Sequence, residues 1–140
     1  MAVRIFLITA VVYTLLITTL SLIPLGKISV GNFNPTDKML HGVAYFILTL
    51  FWLFYYLMKK SGNYNFKWQF FNISALVIVF GMLIEVLQGT LTSYRQPDWA
   101  DILANSIGVL IALLFCFLFL NFLKRIKQKI NLFLEKNFLH

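Results

Sequence analysis

Asp37, Glu85, Asp98 and Asp101 are four of the five acidic residues in this 140-residue chain, and each stands at the end of a long apolar run. Near them in sequence lie Lys38, His41, Tyr45, Gln88, Arg95 and Asn105. An imidazole beside a carboxylate is an acid–base pair, so His41 with Asp37, Glu85 or Asp101 could move a proton. Lys38 and Arg95 could hold a phosphate or a carboxylate. A histidine with carboxylates can also ligate a metal, but the H-E-x-x-H pattern is absent, and no metal or other cofactor is expected. No nucleophile is well placed: Thr92 and Ser93 fall in a connection, outside any nucleophile motif. The chain is 60% hydrophobic and 12% charged. In such a context ionisable groups are costly and usually mark a site.

The elements that must position these groups are membrane helices. Four apolar windows, at 3–23, 39–58, 70–91 and 102–123, can be read from the sequence. Each is about 20 residues, enough to span a hydrocarbon core of ~30 Å at ~1.5 Å per residue. Lipid offers backbone groups no partner outside helices and closed barrels, and these runs lack the strict alternation of barrel strands. The expected fold is therefore all-α: an integral membrane bundle of four transmembrane helices at 1–123, plus a basic amphipathic C-terminal helix at 124–140. Arg4 and the run after it resemble a signal peptide. The run is membrane-length, however, and no small-x-small site follows Leu22-Ile23-Pro24, so it is expected to stay as a helix. Gly62-Asn63 and Gly89 read as turns.

Lysine and arginine counts set the orientation. Lys59, Lys60 and Lys67 lie between the second and third windows, and Lys124, Arg125, Lys127, Lys129 and Lys136 follow the fourth. The other two connections hold Lys27 with Lys38, and Arg95. Both termini are then expected to be cytoplasmic, with the other two connections outside. This bias accounts for most of the net charge of +7, so no nucleic-acid partner is implied. In the tail, Ile126, Ile130, Phe133, Leu134 and Phe138 recur near helical spacing between lysines, which suits a helix lying on the inner leaflet. The single cysteine, Cys116, has no disulfide partner and no metal-ligand spacing and reads as a packing residue.

That topology predicts convergence. Asp37, His41 and Tyr45 are spaced i, i+4, i+8 on one face of helix 2, and Glu85 and Gln88 sit in the last turns of helix 3. Asp98, Asp101, Asn105 and Gly108 follow at +3, +4, +3 on helix 4. His41 lies ~6 Å below Asp37, and Asn105 ~10 Å below Asp98, along their helices. All fall in the outer third of the membrane. Structural roles stand beside the functional ones. Asp37, Asp98 and Asp101 occupy first helical turns, where carboxylates complement the macrodipole. Pro35 and Pro97 suit first helical positions, with Asn34 as a cap. Lys38 and Arg95 could snorkel to the interface, and Tyr45 could be an interfacial aromatic. Gln88 could bond helix to helix. Gly81, Gly108 and Ala112 suit close helix approach. The inner half of the helices is almost wholly apolar, which argues against a proton or ion path.

Taken in order, Ser21-x-x-Pro24, Asp37-Lys38-x-x-His41-x-x-x-Tyr45, Glu85-x-x-Gln88 and Arg95-x-x-Asp98-x-x-Asp101-x-x-x-Asn105-x-x-Gly108 resemble the VanZ-like family of small bacterial membrane proteins. The resemblance implies a link to resistance against glycopeptides of the teicoplanin type, without implying a reaction. Three functions are open at this point. The polar site could bind a membrane lipid, a lipid-linked envelope precursor or a lipoglycopeptide, with Asp37, Lys38, His41, Tyr45, Glu85, Gln88, Arg95, Asp98, Asp101 and Asn105 as contacts. It could instead be the centre of a membrane-embedded enzyme that modifies or hydrolyses a head group, with His41 as base and Glu85 or Asp101 as partner. Or the polar layer could serve only to fix helix register.

Overall fold

The structure, a computed structural model, describes the backbone of residues 2–23, 37–60, 65–91 and 98–138. Arg95, Lys27, Pro24, Asn34, Pro35, Thr92, Ser93, Pro97, Gly62 and Asn63 lie outside the described residues. The described chain is all-helical: α1 (Ala2–Leu22), α2 (Asp37–Lys59), α3 (Phe66–Leu91), α4 (Trp99–Leu118) and α5 (Leu120–Phe138). The first four are long and apolar enough to cross a membrane. Their outward faces carry Ile8, Leu15, Leu76, Leu83, Ile107, Leu110 and Leu114, all exposed. An aqueous surface would penalise that sheath, whereas lipid accepts it.

Local chemistry sets the ends and hides the polar groups. Asp98 is the N-cap of α4: its backbone is extended (φ −119°, ψ 114°) and its side chain accepts from the Ala100 N–H at 2.9 Å. The first helical position is therefore Trp99. Asn65 does the same for α3, its side-chain oxygen accepting from the Trp68 N–H at 3.2 Å. That cap brings the helix start forward to Phe66, four residues before the apolar window. Gly89 does not mark a turn, because α3 continues through it to Leu91. Along α1, the hydroxyls of Thr9, Thr14 and Thr18 donate to carbonyls one turn back, at 2.7–2.9 Å. This satisfies them without water.

The core divides along the bundle. Ile17, Tyr45, Leu48, Val77 and Val109 pack in the half towards the start of α2. Leu53, Leu57, Phe66, Phe70, Leu113, Cys116 and Leu123 pack in the other half. Cys116 is fully buried there as a packing residue. The apolar run at 102–123 does not form one helix. The backbone departs from helical geometry at Phe119 (φ −100°, ψ 11°), and α5 starts at Leu120. Leu123 still belongs to the core, Lys124 lies over the Phe66 ring at 5.1 Å, and Lys127 donates to the carbonyls of Leu57 (2.8 Å) and Lys60. A cation on the last carbonyls of α2 satisfies orphan acceptors and complements the helix dipole. Burial lowers the pKa of Lys127 from its ordinary value of 10.5.

Candidate functional site

The starts of α2 and α4 and the end of α3 meet at one end of the bundle. Among the described residues α2 and α4 share the most extensive helix–helix interface, and glycine makes it tight. A Cβ on Gly108 would lie 2.1 Å from the Gly42 carbonyl oxygen, and one on Gly42 would lie 3.4 Å from that of Ala104. With Ala104, Gly108 and Ala112 at four-residue spacing, α4 presents a strip of small residues to α2. This close approach carries the polar residues of the two helices into contact.

Glu85 is 1% exposed, Gln88 0%, Asp101 2% and Asn105 2%. These side chains face the interior of the bundle. His41 Nδ1 lies 3.2 Å from Asn105 Oδ1. An amide oxygen only accepts, so this contact puts a proton on Nδ1 and presents Nε2 to the carboxylates. Nε2 lies 3.7 Å from Asp101 Oδ2 and 3.9 Å from Asp37 Oδ1, and Nδ1 lies 3.9 Å from Glu85 Oε1. One imidazole thus has carboxylates from three helices around it. The side chain of His41 is 11% exposed and that of Asp37 is 59% exposed, so the cluster runs from a buried interior to an open mouth.

Lys38 does not extend away towards the interface. Its ammonium bridges the carboxylates of Asp98 and Asp101. It supplies the counter-charge that a buried Asp101 needs, and it ties the cap of α4 to the first turn of α2. Glu85 Oε2 sits 3.5 Å from the Asp98 N–H, linking the end of α3 to the same cap. Gln88 donates through Nε2 to the Ser21 carbonyl at 2.8 Å, which joins α3 to the end of α1. Tyr45 packs beneath the cluster against Gly81, where an added Cβ would meet its ring at 2.9 Å and Asn105 Nδ2 at 3.5 Å. The Tyr45 hydroxyl and Asn105 Nδ2 are buried and have no hydrogen-bond partner among the described residues. Each is a group to which a ligand's polar atom could bond.

The ligand atoms of Asp37, His41 and Asp101 lie within 4.8 Å of one another, a spacing that could hold a cation. Lys38 already places a positive charge on Asp101 there. Three features were not read from the sequence. They are the Lys38 bridge, the role of Gly42, and an apolar groove of ≈ 450 Å³ between α2 and α4 that begins at Lys38.

The order of these residues on four apolar helices bears on kinship. A family model described as VanZ/LLP1 matches residues 3–120. The chain belongs to the VanZ/LLP1 family. No curated protein and no solved structure matches it. The matched VanZ/LLP1 region takes in α1 to α4 and all the clustered polar residues, and it ends where α5 begins. The chain is thus a membrane protein of the VanZ type, multi-pass by its four apolar helices.

Proposed function

We propose that this protein lies in a bacterial cytoplasmic membrane with both termini inside, and that its polar site faces out and binds the head group of a cell-envelope lipid. The class includes lipid-linked precursors and lipoglycopeptides, so a contribution to teicoplanin-type resistance falls within the same reading. The observation that carries it is the meeting of His41, Glu85, Asp101 and Asn105, buried and drawn from three helices, beside a groove that opens to the bilayer. Polar groups at membrane depth that converge rather than scatter are the mark of a binding or reaction site. The orientation draws support from Lys59, Lys60 and Lys67, which fall at the opposite end of the bundle from the cluster, as the positive-inside rule requires.

The test is lipid retention. The protein would be purified with its membrane lipids and examined by native mass spectrometry, beside His41→Gln and Glu85→Gln. Loss of a retained lipid in both variants, at unchanged thermal stability, supports the reading. Full retention in both contradicts it.

A second reading, a membrane-embedded enzyme, is favoured by one specific observation. Asn105 holds one nitrogen of His41 while the other faces Asp37 and Asp101, the arrangement of an oriented general base. It predicts that bound lipid is converted by the wild type, and that His41→Gln keeps the lipid but not the conversion. Chromatography of the lipids after incubation decides between the two.

A further inference from the structure

We propose that the α2/α4 groove holds one hydrocarbon chain of a membrane lipid whose head group bears an amine, with the amine received by the carboxylates at the groove's mouth. The inference rests on the lipid-binding reading above, and adds to it the path of the chain and the class of the head group.

The groove is built for a chain. Its ≈ 450 Å³ falls within the roughly 300–1,000 Å³ of small-molecule sites. α2 contributes Val43 and Phe46, and α4 contributes Ile107 and Ile111, around Gly42 and Gly108. From Lys38 to Phe46 it descends eight residues of α2, about 12 Å at the helical rise. Val43, Ile107 and Ile111 are exposed on the bilayer face of the bundle, so a chain enters sideways from lipid. Apart from Lys38 at the mouth, every side chain named gains from hydrocarbon and offers a polar group nothing. The two glycines that let α2 and α4 touch also leave the groove unfilled, since neither puts a side chain into it.

Charge selects the head group. The polar cluster that Lys38 joins to the groove holds, among the described residues, four carboxyl groups, the partly exposed Asp37 and Asp98 and the buried Glu85 and Asp101, against two basic side chains, Lys38 and His41. Lys38 is already shared by Asp98 and Asp101. Each carboxylate accepts several hydrogen bonds and donates none, so the described residues at this end are rich in acceptors. A head group that is only an acceptor meets its own kind there. An ammonium group meets Asp37 and Asp98, both partly open to the outside, while the linking phosphate lies towards Lys38.

The probes are phosphatidylethanolamine and phosphatidylglycerol carrying the same photoactivatable acyl chain, each added to the full-length protein in nanodiscs, with labelled residues mapped by mass spectrometry. The ethanolamine probe is expected to label Val43, Ile107 and Ile111 about tenfold above Leu15 and Leu76, which are at least as exposed, the preference produced by about 1.4 kcal/mol. The glycerol probe is expected to lose most of that excess, and so is the ethanolamine probe on Asp37→Asn. Ile107→Trp is expected to abolish groove labelling while a short-chain ethanolamine lipid still binds in a His41-dependent manner. Labelling spread evenly around the bundle would overturn the groove, even with His41-dependent retention intact. Equal or stronger labelling by the glycerol probe would overturn the head-group class. Should His41→Gln leave lipid retention unchanged, the underlying reading fails and the inference with it. The wild-type map decides the matter even if Ile107→Trp does not fold.

Discussion

Gly108 stands so close to Gly42 that a methyl group added to it would lie 2.1 Å from the Gly42 carbonyl oxygen and 3.1 Å from the Phe46 nitrogen. Both are backbone atoms, which cannot turn aside. Gly108→Ala must therefore push α4 away from α2, at a cost at or above the upper end of the ~1–3 kcal/mol typical of overpacking. Gly42→Ala places its methyl 3.4 Å from the Ala104 carbonyl oxygen, a contact the helices absorb. Thermal unfolding in detergent is expected to show a large fall in Tm for Gly108→Ala and a small one for Gly42→Ala. Similar falls in the two variants would contradict this packing.

Lys38 spans two carboxylates, one of them the 2% exposed Asp101. Lys38→Met keeps much of the side-chain volume and removes the charge. A buried acceptor left without its partner costs about 1–3 kcal/mol. The lower half of that range is expected because the Lys38 side chain is itself 42% exposed and water screens the pair. The matched variant Lys38→Arg should recover most of the loss in Tm. If Lys38→Met is as stable as the wild type, the bridge does not hold α4 to α2.

Lys127 ties α5 to the end of α2 through the Leu57 and Lys60 carbonyls. Lys127→Ala is expected to raise hydrogen exchange in the first turns of α5 and at the last turn of α2, leaving the opposite end of the bundle unchanged. Lys129→Ala, on a more exposed position of α5, should have little effect. Equal exchange in the two variants would show that α5 is held by Leu123 and its neighbours alone.

How much of this was legible in the sequence depends on what each feature needs. Asp98, Asp101 and Asn105 could be placed on one face from their spacing, because helical periodicity is a property of one chain segment. Gly108 could be marked as a close-approach residue for the same reason. Its partner Gly42 could not, because the register of one helix against another is written in neither helix alone. Lys38 had two destinations of similar cost, the interface and the site, and only the position of α4 settles which one its flexible stem takes. The end of α4 was misplaced because hydropathy runs unbroken through Leu118, Phe119 and Leu120, and the backbone break at Phe119 leaves no mark in composition. α3 began earlier than its apolar window because a cap at Asn65, not hydropathy, fixes a helix start.

Under the proposed function, the hydrogen-bonded pair His41 and Asn105, drawn from two helices, belongs to the cluster that meets the lipid head group and should act on binding as one unit. A double-mutant cycle on lipid affinity tests it most directly, using wild type, His41→Gln, Asn105→Leu and the double variant titrated with phosphatidylethanolamine by native mass spectrometry. Residues in one hydrogen-bonded network are non-additive, with interaction energies of about 0.5–3 kcal/mol. Each single variant is expected to weaken binding, and the double variant to be little worse than the weaker single one. Independent, additive losses, or unchanged affinity in both single variants, would contradict it.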